Sequence, residues 1–302
     1  MMFQSLYLKC AELNVCLQFP ENWYITDTKI ASLFQACSGN INVKIQFFET
    51  DSIPEIIGKL IFKDEVQCVF QSLKNICCYC GNYTIAESVD EIRKKTLYCR
   101  QIRLSEKQNH IAEVLCSSNV GKKHTVRSLL VWGGLPHILA DFRRVILHSS
   151  FLAYKGKAIL FTAPSGTGKS TQAELWRVHR PGAEIVNGDR SVLSCDGGQP
   201  YAHGIPLCGT SGITKNRSMP VRAIIVLRQG PENRIRRLGA REAFTMLFSE
   251  CSVALWSRED TGTVTDLLTG IISSVPVYLY ACRPDASAVD DLEAALALAQ
   301  GG

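Results

Sequence analysis

Residues 161–176 read FTAPSGTGKSTQAELW, a glycine-rich turn set between an apolar run and a run of helical character. The pattern G-x-x-x-x-G-K-[ST] describes a loop that wraps a polyphosphate. Ala163 takes the first glycine position here, followed by Pro164, Ser165, Gly166, Thr167, Gly168, Lys169 and Ser170. Gly166 and Gly168 let the backbone pass close to an anion, so that successive N–H groups point inward. The helix that opens near Lys169 adds unpaired N–H groups and the positive end of its dipole. Ser165, Gly166, Thr167, Gly168, Lys169, Ser170 and Thr171 are therefore the expected nucleotide-binding residues. Lys169 is placed to reach the outer phosphates and the Ser170 hydroxyl to ligate Mg²⁺, with ATP as the expected nucleotide.

Such a loop needs a parallel strand–helix–strand frame, and the second half of the chain supplies one. KAILFT (157–162) reads as a buried strand, STQAELWRVH (170–179) as a helix and GAEIVNGD (182–189) as the next strand. AIIVLRQ (223–229), RIRRL (234–238) and PVYLYAC (276–282) read as strands. REAFTMLFSEC (241–251), TVTDLLTGIISS (263–274) and VDDLEAALALAQ (289–300) read as helices. Up to about residue 120 the runs are short and β-like: 42–49, 58–62, 66–71, 96–104 and 110–116. Residues 124–147 read as helical, interrupted near Gly133, Gly134 and Pro136. The expected organisation is thus a β-rich α+β domain over 1–122 and an α/β P-loop domain over 123–302.

Composition narrows the partners. A net charge of +5 over 302 residues gives no argument for nucleic acid or a membrane surface. No run approaches the roughly 20 apolar residues of a membrane span. The start lacks a signal-peptide pattern, so the 13 cysteines are expected to be reduced thiols of a cytoplasmic protein. CCYC (Cys77, Cys78, Cys80) has no matching pair at zinc spacing and reads as thiols in a β-rich region.

Three further features add to the loop. His148 stands twenty-one residues before Lys169. Asp189 and Arg190 end the strand that follows the loop's helix, in NGDR. YAHGIPLCGTSGI (201–213) is turn-rich. Over roughly residues 145–230 this order and spacing resembles the catalytic domain of the HPr kinase/phosphorylases, which share a core with the phosphoenolpyruvate carboxykinases. The resemblance implies an HPr kinase-like P-loop fold and phosphoryl transfer to a hydroxyl. It gives catalytic roles to Asp189, Lys169 and His148, and a share in holding Mg²⁺ to Asp189 with Ser170. The sequence departs from the family in two places: Gly188 replaces the first acid of an acidic pair, and no acid lies between residues 197 and 231. Both departures argue against a second metal and the phosphorylase direction, and for a related kinase with a different acceptor.

Lys215 and Arg217 are candidate cations for transition-state charge or for a carboxylate on the acceptor. Arg222, Arg228, Arg234, Arg236, Arg237 and Arg241 face a single acid, Glu232, within 222–241. They read either as a surface for an acidic partner or as a charged sheet edge. The expected activity is an ATP- and Mg²⁺-dependent kinase acting on a serine or threonine hydroxyl of a peptide, carrier protein or free amino acid. A P-loop hydrolase and a non-catalytic nucleotide-binding module of a peptide-modifying or regulatory complex are the alternatives. By analogy with the family, the N-terminal half is expected to set acceptor choice or homo-oligomer contacts.

Overall fold

The computed structural model describes residues 2–84, 86–103 and 111–298. The chain divides into two compact units, Met1–Lys9 with Leu13–Ile138, and Cys10–Glu12 with Leu139–Gly302.

The first unit holds β1 (Phe3–Cys10), β2 (Leu13–Pro20), β3 (Tyr24–Ile25), α1 (Thr28–Leu33), β4 (Val43–Thr50), β5 (Lys59–Lys63), β6 (Gln67–Gln71), β7 (Asn75–Gly81), α2 (Val89–Lys95), β8 (Thr96–Arg103), β9 (Ile111–Ser117), β10 (Lys123–His124) and α3 (Val126–Trp132). Its eight-stranded sheet runs β1-β2-β4-β9-β8-β7-β6-β5. The β-like runs of the sequence fall on β4, β5, β6, β8 and β9, while Leu104 and His110 lie outside the described residues. The β1 and β2 strands are an addition. Cys77, Cys78 and Cys80 are buried in β7. Burial pushes the Cys80 thiol up to about 11, so it stays protonated and inert at neutral pH.

The division falls inside α4 (Leu135–Asp141), not at 122/123. The reason is α3, which Thr125 opens with a capping box and which buries Val126, Leu129 and Leu130. The helical reading of 124–147 is also corrected at its end. Arg143 turns with φ +56°, and Arg144–Tyr154 form a strand, β11.

The second unit continues with β12 (Lys157–Thr162), α5 (Lys169–His179), β13 (Glu184–Asn187), β14 (Arg190–Asp196), β15 (Gln199–His203), β16 (Ser218–Gln229), β17 (Arg234–Arg237), α6 (Ala240–Ser249), β18 (Cys251–Ser252), α7 (Arg258–Ser274), β19 (Val277–Cys282) and α8 (Ala286–Leu298). Residues 299–300 of the closing helix expected from sequence lie outside the described residues. The nine-stranded sheet is mixed. β12, β16 and β19 are parallel neighbours, while β11, β14, β15 and β17 join antiparallel. Because β16 alternates, Ile224 and Val226 pack with α6 and α7, whereas Ala223, Ile225 and Leu227 pack with α5 and α8. The turn-rich reading of 201–213 holds only beyond His203, since Gln199–His203 pair with β14 and β16. No helix among the described residues is long and apolar enough to cross a membrane.

Candidate functional site

The loop 163–168 joins the carboxyl end of β12 to the start of α5, where ligands of parallel sheets bind. Gly166 and Gly168 have φ of +80° and +113°, values that side-chain-bearing residues rarely adopt. Ala163 has no such φ and is fully buried in the core beneath α5, so the first loop position takes a small side chain without strain. The amides of Lys169, Ser170 and Thr171 begin the helix and have no carbonyl one turn back.

Lys169 is 7% exposed and donates to the carbonyls of Ala163 at 2.8 Å and Pro164 at 3.2 Å. Burial pushes its pKa down, while the charges of Glu250 and Asp189 push it up. The Thr167 hydroxyl donates to Pro164 O at 2.9 Å and ties the loop to itself. Beside the loop lies a cavity of about 600 Å³. Its walls are Ala163–Thr167, the end of β16 (Val226–Gln229) and the end of α6 (Met246, Ser249 and Glu250).

The strand β11 changes partners at the site. It pairs with β14 as far as His148 opposite Arg190, and with β12 from Ser149 opposite Thr162. Asp189 sits in the corner between β13 and β14. Its carbonyl accepts from Ser149 N at 3.0 Å. Its carboxylate lies 3.5 Å from His148 Nε2 and accepts from Arg190 Nε at 3.2 Å. The other ring nitrogen of the imidazole, Nδ1, is 3.2 Å from a Glu250 carboxylate oxygen. A carboxylate therefore faces each ring nitrogen. Ser170 Oγ donates to Gly188 O at 3.4 Å, which brings the loop's helix against the residue preceding Asp189.

Asn187 holds this corner. Its buried Oδ1 accepts from the amides of Asp189 and Arg190, both at 2.9 Å. Its Nδ2, with two hydrogens, lies 3.0–3.1 Å from three acceptors, Ile205 O, Leu207 O and Thr214 Oγ1. The turn-rich segment is thereby fastened over Asp189. A Cβ at Gly209 would stand 2.9 Å from Asp189 Cβ and Cγ, and one at Gly188 would stand 2.4 Å from Ser211 Oγ. The position where the sequence loses its first acid is therefore one where any side chain must displace Ser211.

Sequence reasoning did not single out Glu250 and Asn187. Glu250 lies 102 residues beyond His148 with no spacing signal, and Asn187 resembles an ordinary turn residue. Lys215 and Arg217 are not brought to the loop: both pair with Glu184, at the start of β13.

His203 is likewise a core residue, buried between Ser194 Oγ at 3.0 Å and Ser218 Oγ at 2.8 Å. Burial lowers its pKa from 6.5 to about 4. The unfolded chain therefore binds more protons between these values. Stability is fully present above pH 6.5 and falls, by on the order of 3 kcal/mol, as the pH drops through about 4. Urea midpoints measured from pH 7 to pH 4 should show this slope, and His203→Asn should flatten it.

Fold and site define a mixed α/β protein with a glycine-rich loop before a helix and an acid–imidazole–acid cluster beside it. Residues 114–275, more than half of the chain, match the family described as SynChlorMet cassette protein ScmC, and the chain belongs to that family. No curated protein sequence matches it. Among solved structures, the Hpr(Ser) kinase/phosphatase from Coxiella burnetii is similar with a TM-score of 0.30 and 16% identity, over 52% of this chain and 99% of that one. A likeness so distant carries no argument about activity.

Proposed function

We propose that this chain is an ATP- and Mg²⁺-dependent kinase that phosphorylates a serine or threonine hydroxyl of a peptide, carrier protein or free amino acid. The observation that carries the reading is the juxtaposition, at one edge of the parallel strands, of the loop with its buried Lys169 and the Asp189–His148–Glu250 cluster.

The residues fit a polyphosphate: the loop glycines are turned to bring backbone close, the first-turn amides are unpaired by a preceding carbonyl, and Lys169 supplies the charge. Ser170 and Asp189 are the groups that would hold Mg²⁺. When bound, the ion supplies neutralisation of phosphate charge. Asp189 orients the acceptor hydroxyl and takes its proton as the hydroxyl oxygen bonds to the γ-phosphorus and the bond to the β–γ bridging oxygen breaks. His148 fixes the carboxylate and is itself steadied by Glu250. Arg190 donates to the second Asp189 oxygen, which limits rotation of the group.

The test is to incubate the protein with Mg²⁺-ATP and a panel of free serine, free threonine, an HPr-like carrier and peptides encoded beside the gene. Nucleoside diphosphate release and acceptor mass are read together. An acceptor heavier by one phosphoryl group, made by the wild type and lost in Lys169→Ala, is the expected result. Phosphate release without a modified acceptor would replace the kinase by a hydrolase. Nucleotide binding without turnover of any kind would replace it by a binding module.

A further inference from the structure

The arginines of the segment 222–241 separate once the strands are in place. Arg234 and Arg236 lie on β17, the outermost strand on its side of the sheet, and each has a carboxylate. Arg234 donates to Glu232 at 2.7 Å, and Arg236 grips both oxygens of Glu242 at 2.8 and 2.5 Å. Charge on such a strand discourages edge-to-edge pairing, and that accounts for these two.

Arg228 has a different setting. It lies on β16, flanked by β12 and β19, where there is no edge to guard. Its side chain is exposed at the carboxyl end of the strand, lining the same cavity as Ser165, Gly166 and Thr167. Register places Val226 opposite Thr162, so Arg228 stands two residues on, level with the beginning of the loop. The next residue, Gln229, donates to Gly166 O at 3.5 Å.

Arg228 makes no ion pair among the described residues. Glu242 feels its charge, but both Glu242 oxygens are held by Arg236. Glu250, the carboxylate lining the cavity, is turned to His148. A guanidinium offers five donors in a fixed fork suited to phosphate and carboxylate oxygens. An exposed one without a carboxylate, beside two positive-φ glycines and the first turn of α5, is a site for anionic oxygen.

We infer that Arg228 is an anion-binding cation of this cavity, acting beside Lys169 of the loop, and that its ligand is the outermost phosphate of a nucleoside triphosphate whose inner phosphates rest on the loop. The inference rests on the proposed nucleotide site and adds to it a residue that distinguishes triphosphate from diphosphate. It also moves to Arg228 the charge-neutralising role that sequence pattern gave to Lys215 and Arg217, which Glu184 occupies.

The experiment is calorimetric titration of ATP, ADP and AMP, each with Mg²⁺, into the wild type and into Arg228→Met, Arg228→Lys, Lys169→Ala and Arg234→Met. A charge-assisted hydrogen bond lost from the terminal phosphate should cost Arg228→Met about 10-fold or more in ATP affinity. ADP and AMP affinities should remain close to those of the wild type, and Arg228→Lys should recover part of the loss. Arg234→Met, which removes a residue already paired with Glu232, should bind as the wild type does. Equal losses for all three nucleotides, or no loss for ATP, would overturn the inference. ATP binding that depends on Lys169 but not on Arg228 would sink the inference and leave the kinase reading standing. A wild type that binds no nucleotide would remove both.

Discussion

Asp189→Asn is expected to keep the fold and bind nucleotide, yet to lower phosphoryl transfer by roughly 10²- to 10⁴-fold, the usual share of a general base. That is about 3–5 kcal/mol of barrier. The amide matches the carboxylate in shape, and the backbone bonds that place residue 189 come from Asn187 and Ser149, which the substitution leaves alone. What disappears is the capacity to accept a proton, the charge of one of the two groups that would hold Mg²⁺, and the negative charge facing His148 and Arg190. Single-turnover transfer measured beside nucleotide affinity separates the two effects. Transfer within a few-fold of the wild type would remove Asp189 from the chemistry.

The second large effect is structural. Asn187→Leu keeps the branched shape of the side chain but deletes every hydrogen bond that the Asn187 amide makes at the corner. The part-buried amides of Asp189 and Arg190 lose their acceptor and Leu207 O loses a donor, while Ile205 O keeps the Thr214 hydroxyl. Each stranded buried group costs about 1–3 kcal/mol, and these costs overlap. A total of roughly 3–5 kcal/mol is expected, a large part of the stability of an ordinary domain. For a unit of this size the thermal midpoint should fall by about 10 °C. The variant should also lose transfer beyond what its folded fraction explains, because Asp189 is no longer held. A midpoint within about 2 °C of the wild type, roughly 1 kcal/mol or less, would show that the hydrogen bonds of Asn187 carry little.

How far the sequence spoke depended on the range of the interactions. The strand–turn–helix joint at 161–176 was legible because its signals are local: a strand, two glycines, a lysine and a helix start lie within sixteen consecutive residues. Asp189 and His148 were legible through their order and spacing, and the structure brings them to 3.5 Å. Glu250 was not legible, since its approach depends on the C-terminal end of α6 meeting β11 across about a hundred residues of chain. Lys215 and Arg217 are a related case, since both pair with Glu184. Their partner Glu184 lies on β13, and only the pairing of that strand reveals that the cations are already engaged. Long-range pairing also made β14 and β15, for which the local pattern gives no strand; Tyr201–His203 of β15 fall in the turn-rich segment 201–213. The helical reading of 144–147 failed because RVIL suits either period, and burial within a sheet decided it.

The most direct test of the account is whether the loop edge holds a polyphosphate at all. Titrating Mg²⁺-ATP into the wild-type protein, with Lys169→Ala as the parallel sample, answers that in one measurement. Saturable binding at one site per chain, weakened at least about 10-fold by the loss of Lys169, is the predicted result. No binding, or binding that Lys169→Ala leaves unchanged, would contradict the account.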